Sequence, residues 1–313
     1  MLSYIVKRFG MGVLTIWFIA TATFVAMHLV PGNPLAQEKA VNPVIRANLE
    51  KQYGLDKPVT TQYIIYITNM LHGDFGISYT QENRFVKDII SEHFPVSAEL
   101  GLLSLFFATL GGVLFGAITA LSRNRWPDHL IMVFVILGVS VPNFVFAALG
   151  QLLILKLNGW TGTTILPIAG WDGFGSMLMP SLVLGLSTMA YLTRLMRATM
   201  LEVAGTDYIR TARAKGLSTT RIFLSHQLRN AIMPVITVLG PAIAIITTGG
   251  FVVESVFTIP GLGRYFVQAV QQLDYTVIMG TTVFFGAFLV LMVIVADILY
   301  GFVDPRIRVE AGR

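Results

Sequence analysis

Six long apolar stretches dominate the pattern of hydrophobic and polar positions along this chain of 313 residues. Each is long enough to cross the hydrocarbon core of a bilayer, which takes about 20 apolar residues in a helix. The pattern therefore predicts six transmembrane helices, over residues 9–30, 98–121, 129–157, 176–196, 232–257 and 276–303. We also expect Pro142 to interrupt the third helix, and Pro234 and Pro241 to interrupt the fifth.

The polar segment between the first two stretches, residues 31–97, is too long for a simple connection and predicts a small helical layer. Helix start and stop signals place one short helix between Asn42 and Gly54, a second from Pro58 and a third from Asn83. The layer is interpreted either as a scaffold that caps the membrane helices or as a docking surface for an outside partner. The scaffold is favoured, because amphipathic helices mostly serve packing.

Composition assigns the chain to the integral membrane proteins. Apolar residues make up 54% of it and charged residues only 12%, with a mean hydropathy of +0.70. Soluble domains carry about 25% charged residues. Lys7 and Arg8 precede the first apolar stretch, which resembles a signal peptide but exceeds the usual apolar region of about 7–15 residues. We therefore expect a retained first membrane helix.

The distribution of basic residues predicts the orientation of the chain. Most Lys and Arg residues outside the long first loop fall in segments on one side of the predicted membrane, the side of the N-terminus. Cytoplasmic segments are the ones enriched in these cations. Both termini are therefore predicted to be cytoplasmic, and so is the polar segment Asp207–Gly216.

The segment Asp207–Gly216 has the pattern of a short helix. Asp207 suits the positive end of the helix dipole, Arg213 and Lys215 suit the negative end, and Gly216 predicts a Schellman-type stop. At 1.5 Å per residue the helix is only about 13 Å long, and a helix that short is marginal by itself in water. We therefore expect it to be held by something against which it docks.

Two interpretations of this helix stay open on the residues alone. In one, an apolar knob docks on a partner inside a rim of basic side chains. The knob consists of Tyr208, Ile209 and Ala212, and the rim consists of Arg210, Arg213 and Lys215. In the other, the helix is solvated beside the membrane and its cations merely follow the cytoplasmic bias for Lys and Arg.

No catalytic, cofactor-binding or metal-binding residue is predicted. The chain has no cysteine, its five histidines are scattered, and it carries neither a P-loop nor a G-x-S-x-G motif. Basic residues are not interleaved with aromatic residues in a soluble region, which argues against nucleic-acid binding. An intramembrane enzyme is accordingly disfavoured. A self-contained secondary transporter or channel is disfavoured too, because intramembrane charge pairs and matched repeats are not evident.

Four residues in the apolar stretches are candidates for a translocation pathway. Ser140, Pro142 and Asn143 break the third stretch, where polar backbone could face a cavity. A kink satisfied by neighbouring helices is an equally open interpretation. Glu254 is an acidic residue near the outer end of the fifth stretch. For Glu254 we favour a structural role, as acceptor of hydrogen bonds from the backbone of the turn at Pro260–Gly263.

Seven short motifs are spread over nearly the whole chain. In chain order they are Val30–Pro34, Tyr53–Pro58, Gly73–Ser78, Asp207–Gly216, Leu228–Pro234, Phe257–Gly263 and Asp304–Arg306. By their order and spacing, the chain resembles the membrane permease subunits of bacterial ABC importers, in particular the B-type permease of oligopeptide and dipeptide systems. The resemblance implies a type I importer fold and a permease that moves peptides across the cytoplasmic membrane. Nickel or glutathione are alternative cargoes, and the few histidines near the expected pathway disfavour nickel.

The resemblance also implies partners. The pore would be a heterodimer of this chain and a second homologous permease subunit in membrane lipid, driven by two cytoplasmic ATPase subunits. An extracytoplasmic lipoprotein would bind peptide and deliver it. The segment at 207–216 would be the coupling helix that docks into a groove on the ATPase, formed by Asp207, Tyr208, Ile209, Arg210, Thr211, Ala212, Arg213, Ala214, Lys215 and Gly216. Gly216 and Pro234 match the family's glycine and proline, whereas Arg210 stands where the wider superfamily has a glutamate.

The predicted fold class is an all-α integral membrane protein with six transmembrane helices. We expect an N-terminal membrane helix over 1–30, an extracytoplasmic helical layer over 31–93, a permease core over 94–304 and a cytoplasmic tail over 305–313. The core would contain the cytoplasmic coupling loop, at about 198–231.

Overall fold

The fold is helical, and six of its helical spans suit a membrane. The computed structural model describes residues 2–29, 51, 54–81, 83–248 and 250–303, with side chains from 6 to 296 within these ranges. In that part of the chain, β pairing is limited to an isolated bridge between Ile77 and Phe85. The spans long and apolar enough to cross a membrane are Val6–Leu29, Val86–Leu121, Asn143–Thr161, Phe174–Ala204, Met233–Val256 and Tyr275–Ala296. The predicted all-α class with six membrane helices is confirmed.

The described residues form thirteen α-helices. In chain order they are α1 (Leu2–Leu29), α2 (Val59–Leu71), α3 (Val86–Leu121), α4 (Trp126–Ser140), α5 (Asn143–Thr161), α6 (Phe174–Ala204), α7 (Asp207–Ala214), α8 (Thr219–Ile222), α9 (Arg229–Ala231), α10 (Met233–Thr248), α11 (Phe251–Val256), α12 (Leu262–Gln272) and α13 (Tyr275–Val303). Between α8 and α9 the chain forms a π-helical turn, Phe223–Leu228.

The start of α3 differs from the predicted boundaries. We expected a separate helix from Asn83 and a membrane helix from residue 98, but α3 is continuous through both regions, with Pro95 inside it. The reason is packing at the start of the helix, where Val86, Ile89 and Ile90 are buried in a core shared with α13. Burial of these side chains extends the helix past a proline that would otherwise favour its end.

Two membrane spans are interrupted. α4 ends at Ser140 and α5 begins at Asn143, so the break predicted at Pro142 is present. The break predicted at Pro241 is wrong, because α10 continues through this proline. Pro234 lies in the first turn of α10, just after the turn at Ile232 that separates α9 from α10. A further break lies at Gly250, before α11. A proline inside a membrane helix is tolerated where neighbouring groups satisfy the freed carbonyl.

The two longest helices, α3 and α6, form the spine of the membrane region. Glycines let their backbones approach closely. A Cβ added at Gly112 would lie 2.5 Å from Leu192 Cβ, and one added at Gly116 would lie equally close to Met196 Cβ. This is the packing that two small residues four apart allow between membrane helices. α6 is thereby held along α3 toward the end that leads into α7.

The segment between the first two membrane spans, here called the outer layer after its predicted side, contains α2, which packs on α1. The ring of Phe24 lies 5.3 Å from the ring of Tyr63 and 5.8 Å from that of Tyr66. Burial raises the pKa of the Tyr66 phenol above its ordinary value. The helix predicted from Pro58 is thus present, whereas the one predicted over residues 42–54 lies largely outside the described residues.

Asp274 ties the outer layer to the last membrane helix. Its buried carboxylate accepts hydrogen bonds from the Ser78 hydroxyl, from the Tyr79 N–H at 3.1 Å and from Thr80 Oγ1 at 2.9 Å. It also accepts one from Thr276 Oγ1 at 2.9 Å, in the first turn of α13. The carboxylate therefore fixes the loop before α3 against the start of α13.

Candidate functional site

The segment Asp207–Gly216 folds as α7 and ends in a Schellman motif. Gly216 lies in the left-handed region, with φ +74°. Its N–H donates to Arg213 O at 2.9 Å, and the N–H of Leu217 donates to Ala212 O at 3.3 Å. These are the two hydrogen bonds that define the motif, so the helix stop predicted from Gly216 is present.

The apolar side chains of α7 face the chain itself, which corrects the predicted docking knob. Ile209 and Ala212 are buried, and they pack with Ile222 of α8 and with Val203 and Leu217. An apolar pair three residues apart lines one face of a helix, and burying that face stabilises a helix too short to persist alone. The prediction that Ile209 and Ala212 dock on a partner is therefore contradicted, because the same subunit covers them.

The rest of α7 and its stop is polar and exposed. The exposed residues are Asp207, Tyr208, Arg210, Thr211, Arg213, Ala214, Lys215 and Gly216. With 3.6 residues per turn, Arg210, Thr211 and Ala214 lie opposite the buried pair. Tyr208 is 43% exposed, and its hydroxyl accepts a hydrogen bond of 3.0 Å from the Asn230 side-chain amide. A partner that meets α7 would therefore contact a polar surface.

The C-terminal end of α6 connects α7 to the return segment that leads to α10. α7 begins after a link of only two residues, Gly205 and Thr206. Thr199 Oγ1 donates to Ala231 O of α9 at 2.9 Å. The buried Gln227 side chain, in the π-helical turn, donates to Met200 O at 3.1 Å. One turn of α6 thus holds the segment that follows α7.

An ion pair that sequence reasoning missed joins the same turn of α6 to α4. Arg197 Nε lies 2.9 Å from Asp128 Oδ1, and Arg197 Nη2 lies 2.8 Å from Oδ2. The Asn124 N–H donates to the same carboxylate at 2.9 Å, and Asp128 is 2% exposed. The sequence signal that could have indicated the pair is an acidic residue, Asp128, at the start of an apolar stretch.

The break between α4 and α5 is hydrogen-bonded to α6. Pro142 has no N–H, so the carbonyl of Gly138 lacks its usual donor four residues on. Ser187 Oγ of α6 lies 3.1 Å from Gly138 O and 3.1 Å from Asn143 Oδ1. Ser140 and Pro142 are exposed, and Asn143 is half-buried. Ser187 thus supplies the hydrogen bond that the Gly138 carbonyl lacks at the kink, while Ser140 is exposed beside it. The kink and pathway interpretations therefore do not exclude one another.

Glu254 lies buried beside the turn at Pro260–Gly263. It is 1% exposed, and its Oε2 accepts a hydrogen bond of 3.0 Å from the Arg264 N–H in the first turn of α12. A Cβ added at Gly261 would lie 2.4 Å from that oxygen, so only glycine lets the carboxylate come this close to the turn. This burial supports the structural role favoured for Glu254 over a place on the pathway.

Among the side chains that the structure places, no three His, Cys, Asp or Glu residues lie close enough to bind a metal ion. An apolar groove of about 370 Å³, open to the surface, lies between α3, α4 and α6, with Phe115, Phe134 and Met189 in its wall.

Comparison with known proteins places this geometry in a family. Residues 112–309 match the model of the binding-protein-dependent transport system inner membrane component, and residues 1–101 match the model of the N-terminal part of such components. The chain is 44% identical to the dipeptide transport system permease protein DppB of Bacillus subtilis (strain 168), with 99% of each chain covered. It is 42% identical to the oligopeptide transport system permease protein OppB of Haemophilus influenzae, with 98% of this chain and 100% of the relative covered. The OppB protein of Escherichia coli (strain K12) is 37% identical, with the same shares covered. The chain belongs to the family of binding-protein-dependent transport system inner membrane components.

Proposed function

We propose that this chain is the permease subunit of an ATP-driven importer and forms half of a heterodimeric pore for oligopeptides or dipeptides. The observation that carries the proposal is the end-to-end match, at 44% and 42% identity, to permeases named for dipeptide and oligopeptide transport. Nickel and glutathione are the alternative cargoes. The relatives' names support peptide over both.

The importer needs subunits that this chain does not supply. The second half of the pore is a homologous permease, and ATP is hydrolysed on two cytoplasmic ATPase subunits. An extracytoplasmic lipoprotein delivers peptide to the outer face. The bias of Lys and Arg toward one side of the membrane supports cytoplasmic termini and a cytoplasmic α7.

In this arrangement α7 is the coupling helix, and its polar face docks on the ATPase. The burial of Ile209 and Ala212 supports this choice of face, since only the opposite face, with Arg210, Thr211 and Ala214, is free to meet a partner. The same burial keeps α7 folded before docking, so association costs little conformational entropy. Arg210 then sets orientation more than affinity, as exposed charges at an interface generally do.

The break between α4 and α5 lies on the pathway in this proposal. Ser140 and Pro142 are exposed within an apolar stretch, and Asn143 lies at the start of α5. Irregular backbone at membrane depth is tolerated where it lines a water-filled cavity. Glu254 shapes the outer turn and holds the start of α12.

Copurification tests the assembly directly. The chain is purified with a mild detergent from the membranes of its own host, and the proteins bound to it are identified by mass spectrometry. We expect a second permease and two ATPase subunits to elute with it in a single complex. Recovery of the chain alone, active in uptake without an ATPase, would overturn the proposal in favour of a secondary transporter.

A further inference from the structure

Arg197 and Asp128 connect α6 to α4, two helices that lead to different parts of the molecule. Arg197 lies seven residues before the end of α6, which continues through two residues into α7. Asp128 is the third residue of α4, whose other end is the break before Pro142. The pair is therefore a polar link between α6, which leads to α7, and α4, which leads to the break. The contact of Ser187 on α6 with Gly138 O is a second link, at the break itself.

The geometry of the pair fixes the orientation of α4 as well as its distance from α6. Two guanidinium nitrogens meet two carboxylate oxygens, at 2.9 Å and 2.8 Å, and such a fork allows little rotation. The Asp128 side chain is 3% exposed and that of Arg197 is 26% exposed, so water screens the pair only weakly. The bond from the Asn124 N–H holds the turn into α4 on the same carboxylate.

An apolar groove lies beside α4 and α6 just beyond the pair. It has a volume of about 370 Å³, is open to the surface, and runs from the exposed Leu130 on α4 to Thr193 on α6. Thr193 lies one helical turn from Arg197, so the groove begins directly beyond the ion pair. Side chains that line an open groove make fewer contacts there than fully packed side chains do. The bidentate ion pair therefore holds these ends of α4 and α6 together at the edge of the groove.

We propose that Arg197 is a positioning residue that transmits movement of α7 to α4 through Asp128, and so to the break at Ser140–Asn143. This rests on the proposed function, in which α7 docks on the ATPase and the break lies on the pathway. With the pair intact, displacement of the end of α6 carries α4 with it. Without the pair, α4 follows α6 less closely, and less of the displacement reaches the break.

The test compares ATP hydrolysis with import for the full complex in proteoliposomes. The test variants are Asp128→Asn and Arg197→Lys, and the second keeps the positive charge but loses the two-point contact of the guanidinium. The control is Arg194→Lys, at an exposed arginine on the same helix. For Asp128→Asn we expect the maximal import rate to fall about ten-fold while the KM for peptide stays the same. The rate of ATP hydrolysis should change less than about two-fold. Arg197→Lys should lie between Asp128→Asn and wild type, and Arg194→Lys should match wild type.

The ratio of ATP hydrolysed to peptide imported separates this role from a merely structural one. Loss of folding lowers both rates in parallel through loss of complex, so the ratio would not move. An unchanged ratio in Asp128→Asn, or in Arg197→Lys if the first variant fails to insert, overturns the inference and leaves the proposed function standing. A wild-type complex that imports no peptide with ATP overturns the proposed function instead.

Discussion

At the scale of single residues, Gly216 carries a strict conformational requirement. Its φ of +74° costs a residue with a Cβ about 1–2 kcal/mol. No other atom lies within 4 Å of the position that a Cβ would take, so the cost is confined to the backbone. We expect Gly216→Ala to insert normally, to fray the end of α7 and to lower ATP-driven import.

Gly159→Ala is the matched control for Gly216→Ala. Gly159 also has open space around it, but it lies inside α5 without a positive φ. Import by this variant should equal that of wild type, as measured by uptake of labelled dipeptide into proteoliposomes. Equal import by both variants would show that the Schellman stop is not needed for coupling.

Asp274 is the residue on which attachment of the outer layer depends. Its carboxylate accepts hydrogen bonds from the loop before α3 and from the first turn of α13, and the residue is 1% exposed. Hydrogen bonds to a charged group contribute about 1.5–3 kcal/mol, so Asp274→Asn should loosen the loop that contains Tyr79 and Thr80. Amide hydrogen exchange at these two residues should become faster, while Asp56→Asn, at an exposed position, should leave it unchanged. Unchanged exchange in Asp274→Asn would contradict this role.

At the scale of elements, α7 has two faces with different roles. The face with Ile209 stabilises the helix from within the subunit, and the face with Arg210 is free. Ile209→Asp places a carboxylate in an apolar site, so we expect the loop around α7 to unfold and become sensitive to protease. Arg210→Glu should leave the loop resistant but weaken copurification of the ATPase.

Lys156→Glu makes the same change of charge as Arg210→Glu at an exposed position on α5, far from α7. It should leave both protease resistance and copurification at the wild-type level. Wild-type copurification with Arg210→Glu, together with a folded Ile209→Asp variant that has lost the ATPase, would restore the apolar knob as the docking surface.

The elements that could be predicted from sequence are those that local physics determines. The six spans follow from hydropathy because backbone groups in lipid must bond within their own helix. The stop at Gly216 follows from the left-handed preference of glycine. An apolar stripe on a short helix, by contrast, shows which face is buried but not whether the same chain covers it. For this reason the docking-knob interpretation placed Ile209 against a partner. Arg197 and Asp128 lie 69 positions apart, so only the packing of α4 on α6 brings them together.

At the scale of the whole molecule, α6 is the axis that joins the parts. It packs along α3 through Gly112 and Gly116, bonds to the break through Ser187, holds α4 through Arg197 and leads into α7. Asp274 fixes the outer layer at the opposite end of the molecule from α7. A movement imposed on α7 can thus reach the break through α6, which is the behaviour that the proposed importer, driven by separate ATPases, would require.

The measurement that tests this account most directly is ATP-driven uptake by the complete complex. The complex is reconstituted in proteoliposomes with the binding lipoprotein outside, ATP or a non-hydrolysable analogue inside, and a labelled dipeptide as cargo. We predict accumulation of the dipeptide with ATP and none with the analogue, and no accumulation of nickel or glutathione. Uptake that is the same with the analogue, or that persists when the ATPase subunits are left out, would contradict the account.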